Sequence, residues 1–125
     1  MLLNKNIVFE IIDTNFIDDV TDCCEESILR MDEDELSDYF EEYADKACLE
    51  TIYDINVEDY DEEEKDGIQT VEGLLEIAAL INGYADWGDE AEYIGDAEVI
   101  LGFAFSFQID TQTNEAGFFD IAWEY

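Results

Sequence analysis

The apolar positions of the chain follow three rhythms. In NIVFEIID, residues 6–13, β-branched and aromatic residues alternate in part with polar ones, which predicts a short strand. From residue 16 to residue 30 the spacing changes to four. Phe16, Val20, Cys23/Cys24, Ser27/Ile28 and Met31 form one stripe, while Asp18, Asp19, Asp22, Glu25 and Glu26 fall mostly off it, so a helix is expected there with Thr14 or Asn15 capping it. Asp32 stands three residues before Glu35, as in a capping box, and predicts a second helix over 32–49. Its inner stripe is Leu36, Tyr39/Phe40, Tyr43/Ala44 and Ala47/Cys48.

Residues 51–57, TIYDINV, suit an edge strand, and the aperiodic acidic run EDYDEEEKDG at 58–67 reads as a solvated loop. QTVEGLLEIAALINGY, residues 69–84, is apolar over most of a helical circumference, which predicts a central helix packed on more than one side. A turn-rich connector follows over 85–98. The C-terminal third alternates, with Phe103, Phe105 and Phe107 on one face, and reads as two antiparallel strands at 99–110 and 118–125 joined by a seven-residue loop. The expected architecture is α+β. Three helices lie against a small antiparallel sheet of about three strands, in one domain spanning residues 1–125.

Composition supports a folded chain. Of 125 residues, 48% are hydrophobic, with eight Phe, seven Tyr and two Trp, enough for a core that disordered acidic tails lack. No apolar run reaches the length needed to span a bilayer, and the N-terminal residues lack the pattern of a signal peptide. Cys23, Cys24 and Cys48 have no metal-ligand spacing and are expected as free, buried thiols in a reducing cytosol. A disulfide from Cys48 to one of the pair is the alternative.

Charge changes the picture most. The formal net charge is −32, from 36 carboxylates against Lys5, Arg30, Lys46 and Lys65. A globule of this mass exposes about 6,800 Å², or roughly 190 Å² per carboxylate, against about 110 Å² per phosphate on B-form DNA. Residues 10–66 carry 24 of the 36 acids. Pairs such as Asp18/Asp22, Asp34/Asp38 and Glu41/Asp45 stand at helical spacing, where each like-charge pair costs roughly 0.2–0.5 kcal/mol. Solubility alone needs far less charge than this. The sign excludes direct binding to nucleic acid or to anionic membranes, and it attracts basic proteins from a distance.

The expected function is therefore nucleic-acid mimicry. Carboxylates would stand in for phosphates in the cleft of a basic nucleic-acid-binding protein, such as a nuclease or effector complex. Contact residues are expected among the outward acids Asp22, Glu25, Glu26, Asp38, Glu41 and Glu42. The acidic run adds Tyr60, Asp61, Glu62, Glu63 and Glu64, and residues 86–98 are an alternative surface. In composition, without any specific motif, the chain resembles the phage and mobile-element inhibitors of restriction, CRISPR or DNA-repair enzymes. That resemblance implies competitive blockade of a host-defence protein in the bacterial cytoplasm.

An immunity protein or antitoxin neutralising a basic toxin is the second reading, and adaptation to high salt the third. Pairing of two copies through an exposed strand edge is a further expectation. Calcium-loop registers beginning at Asp54 and at Asp59 both fail. The sixth position is Asp59 or Glu64 instead of Gly, and the twelfth is Lys65 or Thr70 instead of Glu. No cofactor or metal is expected. Histidine is absent and no nucleophile or phosphate-binding motif is present, so catalysis is not expected either.

Overall fold

A computed structural model describes residues 3–87 and 90–124. Three helices precede a four-stranded antiparallel meander. The helices are α1 (Lys5–Asn15), α2 (Ile17–Leu29) and the single turn α3 (Glu33–Leu36). The strands are β1 (Lys46–Lys65), β2 (Ile68–Trp87), β3 (Glu90–Asp110) and β4 (Ala116–Glu124), in the order β1-β2-β3-β4. The class is α+β as expected, with four strands in place of about three. No helix among the described residues is long and apolar enough to cross a membrane.

The N-terminal segment read as a strand is a helix. Asn4 caps it by accepting the Ile7 N–H at 2.9 Å, and the buried pair Val8 and Ile12 shows the four-residue spacing of a helical stripe. α1 runs through Thr14 and Asn15, so neither residue caps the next helix. Phe16 makes the break, and its ring stacks on Phe119 at 4.5 Å between centroids. α2 follows the expected stripe, with Val20, Cys24, Ser27 and Ile28 buried. Asp18 and Asp19 occupy its first turn, where the helix dipole favours negative charge.

The helix expected over 32–49 ends after one turn. Asp32 does cap it, accepting the Glu35 N–H at 2.9 Å. Beyond Leu36, acids would stack at the C-terminal end of the dipole, where no base is present to offset them. Residues 37–45 then run as turns and irregular chain, delivering Phe40 and Ala44 to the core.

The largest correction concerns residues 58–84. The acidic run is not a loop, because β1 continues through Lys65. Asp66 (φ 54°) and Gly67 (φ 80°) then turn the chain straight into β2. Two positive φ values at the centre of a two-residue turn mark the type I′ hairpin that Asp-Gly favours. The segment read as a central helix is β2, paired on both sides, with β1 and with β3. β2 alternates into the core, but Leu74, Ala78 and Leu80 on its other face make the run apolar nearly throughout, as a buried helix is, so periodicity alone does not separate the two. The connector expected over 85–98 holds the end of β2 and the start of β3, and residues 88–89 lie outside the described residues. β3 and β4 fall close to the expected hairpin.

The helices cover one face of the sheet, through contacts of α1, α2 and α3 with β1 and of α2 with β4. Val71, Leu75, Ile77, Ala79 and Ile81 of β2 alternate into this core. Val99, Leu101, Phe103, Phe105, Phe107 and Ile109 do the same on β3. Two glycines fit the covered side. A Cβ on Gly73 would stand 2.2 Å from the Asp59 carbonyl, beside the bulge between Val57 and Asp59, and one on Gly83 would meet the Phe40 ring at 2.6 Å.

Candidate functional site

The second face of the sheet is built by the residues between those buried ones, and the ladder aligns them in rows. Asp61, Glu72, Ser106 and Asp120 form one row across all four strands. Asp59, Leu74, Ala104 and Ala122 form the next, followed by Asn56, Glu76, Gly102 and Glu124. Beyond the reach of β4, Asp54 lines up with Ala78 and Ile100, and Thr51 with Leu80 and Glu98. The two central columns mix small or aliphatic residues with the acids Glu72, Glu76 and Glu98, and acids predominate in the outer columns. Lys46, opposite Tyr84, and Lys65, opposite Ile68, stand at the two extreme ends of β1. A groove of about 490 Å³ lies over the first two rows. Leu74, Ala104 and Ala122 are in its lining, together with Asp59, Asp61, Glu72 and Asp120.

Like charge is set against like charge here. Asp61 is the direct cross-strand partner of Glu72, an arrangement that destabilises a sheet. A hydrogen bond with Glu58 raises the pKa of Glu76 above its ordinary 4.5, with further upward contributions from slight desolvation and from the charges of Glu58 and Asp54. At the end of β3, Tyr93 donates to Asp96, and this bond above all raises its hydroxyl pKa to about 12. Tyr43 is held likewise by Glu33 at 2.7 Å, and its pKa is also raised to about 12.

The residues singled out from sequence fall in three places. Asp22, Glu25 and Glu26 are exposed on α2, in the helical layer. Asp38, Glu41 and Glu42 are exposed in the irregular segment after α3, with Glu41 and Glu42 beside Gly95 and Glu98 of β3 in a shallow depression. Asp61, Glu62, Glu63 and Glu64 are exposed along β1. Strand alternation sends Asp61 and Glu63 to the uncovered face. Glu62 and Glu64 go to the helix side, where Glu62 accepts from Gln69 at 3.3 Å. The sheet therefore separates Asp61 and Glu63 from the acids of α2. Tyr60 is half-buried opposite Gly73 and packs on the core. Tyr39 also packs on the core, whereas Tyr43 and Tyr53 are exposed.

Asp54, Glu72, Glu76, Asp120 and Glu124 were missed: Glu72 and Glu76 were read as helix, and the strands holding Asp54, Asp120 and Glu124 were not placed in one sheet with them. The Asp66-Gly67 pair was the available signal for the hairpin, and Gly73 and Gly83 argued against a helix between them.

Cys23, Cys24 and Cys48 are free thiols. Cys24 is buried as expected, and burial pushes its pKa up to about 12; Cys23 and Cys48 are half-buried. Cys23 is also raised, chiefly by desolvation, which argues against a reactive thiolate. Among the described residues no group of three or more His, Cys, Asp or Glu is placed to hold a metal ion, and the stretch tested as a calcium loop is strand and hairpin turn. No family model, curated protein or solved structure matches the chain.

Proposed function

We propose that the protein is a nucleic-acid mimic, which inhibits a basic nucleic-acid-binding host-defence or repair protein by occupying its DNA- or RNA-binding cleft. The observation that carries this reading is the placement of carboxylate directly against carboxylate on ordered strands, as at Asp61–Glu72 and Glu58–Glu76. Such contacts weaken the free fold and are relieved when a cationic surface arrives.

The wider surface is strongly acidic in this reading. Its 7744 Å² shared among 36 carboxylates leaves about 215 Å² for each, near half the charge density of duplex DNA. Anti-restriction or anti-CRISPR blockade in a bacterial cytoplasm is the setting that fits, with no enzymatic step and no cofactor. Capture from bacterial lysate at low and high salt tests it. A retained nucleic-acid-binding protein that duplex DNA or RNA releases is the expected result. Retention of a toxin domain that neither polymer displaces would instead identify an immunity protein or antitoxin.

A further inference from the structure

Resting on the mimic reading, we infer that the uncovered sheet face is the part of the protein that imitates a DNA major groove, and that its occupant is a basic α-helix of the partner with a narrow apolar stripe. Three observations converge on that occupant.

The first is width. Three strand spacings of about 4.8 Å separate β1 from β4, or roughly 14 Å between the outer columns. The major groove is about 12 Å wide, and a helix with its side chains measures about 10–12 Å. The second is charge. Asp54, Asp59 and Asp61 line the β1 side, and Asp120 and Glu124 line the β4 side. Cationic side chains on both flanks of one helix would reach both columns, as they reach the two phosphate strands of a groove. The third is the floor. Between and beyond the floor acids Glu72 and Glu76, Leu74, Ala78, Gly102 and Ala104 leave apolar ground that a helix can approach, and Ile100 stands 61% exposed beside them. A purely electrostatic contact would not need an apolar floor, whereas a helix with small hydrophobic residues between its arginines would cover it.

A second copy of the chain is a poorer occupant. Two such faces would bring equal acidic columns together, and the outer edge of β1 is interrupted by bulges between Leu49 and Thr51, Ile52 and Asp54, and Val57 and Asp59.

The test uses a synthetic 20-residue helical peptide with arginines flanking an Ala/Leu stripe, and a scrambled peptide of equal charge, titrated against the full chain at physiological salt. The ordered peptide is expected to bind at least tenfold tighter than the scrambled one. Asp59→Asn, Asp61→Asn and Asp120→Asn together are expected to weaken binding at least tenfold, and Ala104→Phe to weaken it several-fold by blocking the floor. Asp22→Asn, Glu25→Gln and Glu26→Gln together are expected to change it less than twofold. These neutralisations remove repulsion, so the variants are expected to stay folded, as thermal melts would verify.

Equal binding of the two peptides, or a larger loss from the α2 variants, would overturn the assignment of this face. So would a dimer in sedimentation that Ile100→Asp disperses. The mimic reading fails separately, if no captured partner is released by DNA or RNA. DNA release from a partner that still binds the sheet-face variants would leave mimicry standing and remove only this inference.

Discussion

The two faces of the same sheet carry opposite solutions to the same backbone. On the helix side, β2 and β3 present Leu75, Ile77, Phe103 and Phe107, all buried. One residue along each strand, the other side presents Glu72, Leu74, Glu76, Ala104 and Ser106, with Asp61 and Asp120 outside them. The covered face is where removal from water stabilises the fold, at about 1.5–3 kcal/mol for each large side chain fully buried. The uncovered face adds little of that, and its acids oppose each other. Stability and recognition are thus divided by the two-residue period of the strands, so acids can accumulate on one side without entering the core.

This division has measurable consequences. The largest effect should come from Phe103→Ala, which empties a fully buried site and is expected to cost about 3–5 kcal/mol in urea unfolding. Its counterpart Leu74→Ala, on a neighbouring strand but the other face, should cost under about 1.5 kcal/mol. Comparable losses would mean that something covers both faces.

Glycine substitutions should separate the faces next. Gly73→Ala drives a Cβ into the Asp59 carbonyl and is expected to lower the melting midpoint by several degrees. Gly102→Ala, whose Cβ would meet nothing nearer than the Glu124 carbonyl at 4.0 Å, should leave it nearly unchanged.

A smaller effect concerns pH. Because the pKa of Glu76 is raised in the folded state, the native protein binds that proton before the unfolded chain does. Its contribution is fully present below the ordinary value of 4.5 and is lost as pH rises through the folded value. Stability should therefore increase as pH falls from neutrality toward the carboxylate range, and Glu76→Gln should flatten part of that slope. Smallest of all, added salt should raise the melting temperature of the wild type more than that of a variant with Asp61→Asn and Glu72→Gln, since screening relieves what those changes remove. An equal response would place the repulsion elsewhere.

α2 and the β3–β4 hairpin were readable, whereas α1, the single turn of α3 and the β1–β2 hairpin were largely not. The stripe from Phe16 to Met31 specified α2, because a four-residue spacing on a polar background fits one structure only. The alternation of Phe103, Phe105 and Phe107 specified β3 in the same way. β2 was ambiguous, since an apolar run carries no period that distinguishes a covered strand from a buried helix. The acidic half of β1 was hidden by its charge: nothing in DYDEEEK favours a strand except the turn that follows it. Reading β1 and β2 wrongly scattered the site, placing as loop and helix residues that the ladder sets side by side.

The sequence by itself determined the net charge of −32, the supply of large hydrophobes and the two periodic elements, since these depend only on residue identity and spacing. Tertiary pairing decided which acids share a face. A carboxylate at position 61 comes into one row with those at 72 and 120 only when the Asp-Gly turn and the two hairpins after it bring distant segments into register. Local propensity contains no information about that register, which is set by burying one side of every strand at once.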